Sequence, residues 1–217
     1  MSSMTSQTAQ SPETTEPATR MKSPARRELI LEAATTVFGE RGYVGATTDA
    51  VAKAAGVSQP YVVRMFGTKE ALFLAVLDRA LERLLRSFRA ALNDEPPTLP
   101  TGEPVSVHAR LGIAYTELLS DRGLLLSLMH AFVLGAEPTI GERARQGFLE
   151  VYQFLRDDAG FTGAEANEFL SAGMLLNTMV GLRMADEYDT DPAARELLDT
   201  ALPTKIDLLL RLRDGQS

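Results

Sequence analysis

The sequence predicts an all-α protein of about nine helices, arranged as a small N-terminal group and a larger C-terminal one. Three observations carry that expectation. Apolar residues recur at three- and four-residue spacing in successive segments, and no useful length alternates with period two. Gly, Pro and Ser/Thr punctuate these segments where helix caps and short turns require them. Charge divides along the chain: residues 20–93 hold 12 Lys/Arg and 7 Asp/Glu, whereas residues 94–217 hold 10 and 20. The net charge of −7 therefore hides a basic unit ahead of an acidic one.

Composition excludes several function classes. A chain of 217 residues with 45% hydrophobic and 24% charged residues is ordinary for a soluble protein with a sizeable core. It holds no cysteine, which removes disulfide frameworks, thiolate metal sites and cysteine nucleophiles. No apolar run approaches the roughly 18 residues of a spanning helix, and the start lacks the apolar core of a secretory signal. A cytoplasmic protein without a membrane partner is expected.

Residues 1–22 are expected to form a disordered tail, because the Ser/Thr-rich start holds too few apolar side chains to offset ordering. The first helix starts at Ser23–Pro24, with Ser as cap and Pro in the first turn. Leu29, Ile30, Ala33, Ala34, Val37 and Phe38 share one face, and Gly39 and Gly42 are expected to end it. Thr47 or Thr48 caps a short alanine-rich helix to Ala55. Gly56 supplies the positive φ of a tight turn, and Ser58 caps a third helix with Pro60 in its first turn. Gly67 closes that helix and Thr68 caps the fourth. From Leu72 to Leu92 an unbroken apolar stripe runs for about six turns, so the fourth helix suits a connector. The Pro-rich run 93–102 stops it. Five further helical patterns follow, over residues 104–120, 122–136, 138–159, 163–187 and 192–213, the last with a bend expected at Pro203.

Helix, Gly turn, helix is the geometry of a helix-turn-helix, in which the second helix presents its N-terminal side chains to base edges. Gln59 suits bidentate bonding to adenine. Pro60 and Tyr61 offer apolar and stacking surface, and Arg64 reaches phosphate or guanine. Thr47, Thr48, Lys53, Ser58 and Lys69 are placed as phosphate contacts. With Thr48, Val51–Ala52, the Ala55–Gly56–Val57–Ser58 turn, Phe66, Lys69–Glu70 and Leu72, the stretch resembles the DNA-binding domain of the tetracycline-repressor (TetR) family of bacterial transcription regulators. Phe38 and Gly42 in the preceding helix fit as well, so the resemblance covers about residues 24–72. One departure falls on the reading surface. The family's usual Leu-Tyr pair and following aromatic or His are replaced here by Val62, Val63 and Met65.

The resemblance implies a helix-turn-helix domain over 23–67, and over 68–217 a connector with a ligand-binding and dimerisation body. It implies a double-stranded operator, a small-molecule effector and a homodimer as partners. Polar or large side chains within apolar stripes are the candidates for the effector: Tyr115, Met129, His130, Phe132, Phe148, Tyr152, Met174, Asn177, Thr178 and Arg183. Ordinary core packing is the competing reading for each. Small residues at four-residue spacing suggest a dimer face comprising Leu170, Gly173, Asn177 and Gly181 with Leu202, Ile206 and Leu209. No catalytic constellation, metal set or cofactor motif is present: the two histidines are 22 residues apart, and no phosphate loop or nucleophile elbow occurs. The expectation is a ligand-released repressor that is not an enzyme. A ligand-independent DNA-binding protein and an all-helical carrier or enzyme stay open as alternatives.

Overall fold

The computed structural model describes residues 23–118, 121–203 and 206–214. The expected tail over 1–22 and the capping side chain of Ser23 lie outside what it describes. Among the described residues there are ten α-helices and no strand, apart from an isolated bridge between Thr98 and Pro104 in the Pro-rich connection.

Helix α1 (Ser23–Gly45) buries Ile30, Leu31, Ala34, Val37 and Phe38. Gly39 does not end it. The helix breaks at Gly42, whose φ of 66° and ψ of 172° leave the helical region before one last turn. Helix α2 (Thr48–Ala54) is capped by Thr47, whose hydroxyl accepts from the Ala50 amide. Gly56 turns the chain with φ 63° and leads into α3 (Gln59–Phe66). Ser58 occupies the N-cap position, yet its side chain caps nothing. Helix α4 (Lys69–Asn93) is capped by Thr68 and runs 25 residues, about 37 Å. Its open carbonyls at the far end are met by the Arg110 guanidinium, which donates to Ala91, Leu92 and Asp94.

The body comprises α5 (Val107–Glu117), α6 (Arg122–Val133), α7 (Pro138–Gln153), α8 (Gly163–Gly181), α9 (Pro192–Ala201) and α10 (Ile206–Asp214). Helix α7 continues through a wide π turn, Phe154–Asp158. A capping box between Thr162 and Glu165 starts α8. Two expected helices are interrupted within their apolar patterns. Helix α8 stops at Gly181 because Arg183 takes a left-handed conformation, φ 55°, and a short turn, Met184–Glu187, follows. The predicted ninth helix becomes α9 and α10, since Pro203 excludes a helical Leu202 before it and has no N–H of its own. That break raises the helix number from nine to ten.

Helix α4 joins the first three helices to the rest, packing on α1, α5, α6 and α7. A second link has no counterpart in the sequence reading. Helix α1 lies directly across α6, and the two backbones touch at Gly39 and Gly123: a Cβ on Gly39 would sit 2.7 Å from the Gly123 Cα. Ser127 donates to the carbonyls of Gly123 at 2.7 Å and Thr35 at 3.4 Å across the same seam.

Candidate nucleic-acid interface and interior cavity

Val51, Ala52, Ala55 and Val62 are buried between α2 and α3, with Val57 and Phe66 half-buried beside them. This small core fixes α3 so that its opposite face points outward. There Ser58, Pro60 and Arg64 are exposed, while Gln59 and Tyr61 are half-buried. Gln59 Nε2 donates to the Thr48 hydroxyl at 3.2 Å. That bond orients the amide and leaves Oε1 and one N–H to meet a base edge. Two guanidiniums lie over the Tyr61 ring, Arg64 at 4.9 Å and Arg26 at 5.7 Å from its centroid. Arg27 covers Phe66 in the same way at 5.2 Å. None of these three arginines has a carboxylate partner among the described residues, so their charge stays available to phosphates. Val63, where the family's usual tyrosine stands, is exposed.

The predicted phosphate contacts separate into distinct roles. Thr47 caps α2, and Thr48 holds Gln59. Lys53 pairs with Asp49 at 3.0 Å, but both are well exposed, so water and salt leave the ammonium exchangeable. Lys69 departs from expectation. Its ammonium donates to the carbonyls of Tyr43 at 3.0 Å and Ala46 at 3.4 Å and sits over the Tyr43 ring. It staples the α1–α2 connection to α4 instead of standing free for phosphate. Tyr43 itself stacks with Phe38 and meets Phe73 at a tilt, and burial, followed by Glu70 and Glu137, raises its pKa. Arg26 is not among the residues that the sequence singles out for DNA contact. Its stack on Tyr61 joins residues 35 positions apart, for which local spacing has no signal.

In the body, Leu81, Leu84 and Phe88 of α4, Tyr115 of α5, Leu128 and Phe132 of α6, Phe148 and Val151 of α7, and Phe169, Leu170, Gly173, Met174 and Asn177 of α8 enclose a cavity of about 50 Å³. Phe148, Leu170 and Met174 also wall an outer groove of about 460 Å³ that continues to Tyr152, Asn167 and Ser171. Inside, the Tyr115 hydroxyl donates to Asn177 Oδ1 at 2.6 Å. Burial pushes the Tyr115 pKa up to about 12, the bond to Asn177 offsetting part of the rise, so the phenol is neutral at physiological pH.

Of the effector candidates, Tyr115, Phe132, Phe148, Met174 and Asn177 line this cavity, and Tyr152 lines the groove. Met129, His130, Thr178 and Arg183 do not. His130 Nε2 lies 3.4 Å from the Gly39 carbonyl, at the α1–α6 seam. Thr178 is exposed and bonds back to the Met174 carbonyl, and Arg183 pairs with Asp186 at the end of α8. The predicted dimer face is also turned around. Leu170, Gly173 and Asn177 face the cavity, Leu202 and Leu209 are buried in their own chain, and Ile206 packs on that core. Gly181 alone of the set is exposed. The four-residue period found a close-packed face, but its partner is Tyr115, whose ring a Gly173 Cβ would meet at 3.4 Å. The outer side of α8 instead exposes Leu175 and Leu182, with Leu197 exposed on α9.

Residues 30–76, which span α2, α3 and the flanking parts of α1 and α4, match the family of bacterial regulatory proteins, tetR family. Over those residues the chain carries the helix-turn-helix domain of TetR-family regulators. It is 42% identical over 73 residues to the HTH-type transcriptional activator FasR of Mycolicibacterium smegmatis, covering 34% of this chain and 33% of that protein. It is 45% identical over 82 residues to an HTH-type transcriptional repressor of Mycobacterium tuberculosis, covering 34% of this chain and 44% of that one. The match thus spans a third to less than half the length of these curated relatives. A TetR-like transcriptional regulator from Rhodococcus sp. RHA1 shares the fold over 84% of this chain and 96% of its own, with TM-score 0.59 and 18% identity. At that identity the TetR body is common in architecture only.

Proposed function

We propose that this chain is a TetR-family transcriptional repressor that occupies a palindromic operator as a two-fold dimer and is released by a small molecule. The observation that carries the reading is the outward face of α3. Gln59 is oriented by Thr48, and Tyr61 packs against two arginines that have no carboxylate partner among the described residues. Base contact and phosphate contact lie side by side on one helix, as major-groove reading requires. The Arg26–Tyr61–Arg64 stack supplies the backbone contact that Val63 has lost. Residues 23–67 act as the reading head, residues 68–217 as the regulatory body, and the protein works in the cytoplasm, where its DNA is. Dimerisation uses the outer side of α8 and α9, where Leu175, Leu182 and Leu197 are exposed.

An effector in the cavity presses on Leu128 and Phe132 of α6 and on Leu81, Leu84 and Phe88 of α4. Both helices bear on the head, α4 by continuity and α6 through the Gly39–Gly123 contact. A coupling of about 1–3 kcal/mol changes operator affinity about 5–150-fold. The test is a gel shift of the full chain on the DNA flanking its own gene, at about 0.15 M salt. A flanking segment should bind at least about 10³-fold tighter than random DNA. Equal binding to both sinks sequence-specific regulation.

A further inference from the structure

The cavity wall is almost wholly apolar, and its polar atoms are grouped at one point. Asn177 is 4% exposed and Tyr115 is 8% exposed, and among the described residues they are the wall's only side chains with a nitrogen or oxygen. Tyr115 gives its proton to Asn177 Oδ1. Asn177 Nδ2 donates to no group of the described chain, while no fully buried side-chain nitrogen or oxygen among the described residues lacks a partner. The amide N–H is therefore reachable, and in a residue this buried the accessible space beside it is the cavity. Among the described residues no charged side chain lines either the cavity or the outer groove.

We infer that the effector is an uncharged, mainly apolar molecule carrying one hydrogen-bond acceptor, such as a ketone, ester or amide carbonyl, which it places on Asn177 Nδ2. The inference rests on the effector reading of the cavity. A carboxylate or ammonium entering this wall would lose its hydration and meet no countercharge, which is strongly unfavourable. A neutral carbonyl loses little water and finds a donor already in place. The cavity of about 50 Å³ is smaller than such a ligand needs. The barrier between it and the outer groove comprises Phe148, Leu170 and Met174. Met174 is unbranched and moves through several rotamers at low cost, so it is the side chain that yields as the ligand enters. The acceptor end leads, and the apolar remainder stays in the groove between α7 and α8.

The experiment compares three molecules of similar size on the full chain: acetophenone, ethylbenzene and benzoate. Binding is read by calorimetry and by the shift in melting temperature. Acetophenone should bind about fivefold tighter than ethylbenzene, the worth of one net hydrogen bond. Benzoate should give no shift at the same concentration. In the double variant Asn177→Leu with Tyr115→Phe, which removes both partners of the buried bond and leaves no orphan hydroxyl, the ketone's advantage over ethylbenzene should vanish. Benzoate binding as well as the ketone overturns the inference, as does an undiminished ketone preference in the double variant, or no shift with any of the three. The wild-type series decides even if the double variant does not fold. Operator binding by the unliganded chain is measured on the same preparation. Intact operator binding without the ketone response overturns the ligand assignment alone. Lost operator binding with the ketone response intact overturns the regulator reading alone.

Discussion

The reading head and the body use polar side chains in opposite ways. On α3 the polar groups face outward, positively charged and only partly committed to the protein, with Gln59 and Tyr61 held in place by Thr48 and Arg26. In the body the polar pair Tyr115 and Asn177 is enclosed by apolar walls and its one strong bond is internal. The first arrangement suits a polyanion that arrives with its own water and counterions. The second suits a molecule that sheds its water to enter. One all-helical chain thus makes two surfaces of opposite character by turning polar residues out of one helix layer and into the other.

The largest expected effect breaks the body and spares the head's own contacts. Phe88→Ala removes a fully buried ring that meets Phe154 and Phe169 at 5.9 and 5.7 Å, and should cost about 3–5 kcal/mol of stability by denaturant melt. A cost below about 1 kcal/mol would mean the cavity wall is not a packed core. Next in size, alkaline pH probes the enclosed pair. With its pKa raised to about 12 in the folded chain against 10.0 unfolded, Tyr115 contributes stability that is complete below pH 10 and lost as pH rises through 12. The loss is about 2–3 kcal/mol. Tyr115→Phe should remove that part of the alkaline fall, and an unchanged curve would place the titration elsewhere.

On the head, Gln59→Ala should relax base preference at one position per half-site, by roughly 1–3 kcal/mol in competition binding. Uniform weakening across all sequences would assign Gln59 to phosphate positioning instead. Arg26→Ala and Arg64→Ala should each weaken binding to every sequence alike and lower the salt slope by about one. A changed base preference with an unchanged slope would move either arginine from backbone to base contact.

How much of this was legible in the sequence depended on distance along the chain. The Thr47 cap, the Gly56 turn and the α4 stripe are local, set by caps, φ and helical period, and they stand where the sequence put them. Gly39 shows the opposite case. Read locally it ends a helix, but its lack of a Cβ serves a crossing with Gly123, 84 residues away, which no local pattern encodes. Lys69 reads as a phosphate contact because it is a cation at a helix start directly behind the helix-turn-helix. The carbonyls that hold it belong to the far end of α1 and to the connection between α1 and α2. The period of Gly173, Asn177 and Gly181 revealed a close-packed face on α8, but not whether a second chain or the Tyr115 ring would fill it. Leu170 and Phe169 carry no mark that separates a cavity wall from a core.

The most direct measurement is a hydroxyl-radical footprint of the full chain on the flanking DNA segment that binds best. The account predicts two protected patches related by two-fold symmetry, with their major-groove centres about 34–36 Å apart or a multiple of that. Both patches should fade together when acetophenone is added. A single patch, or continuous protection indifferent to sequence, would contradict the claim that paired α3 helices read the operator.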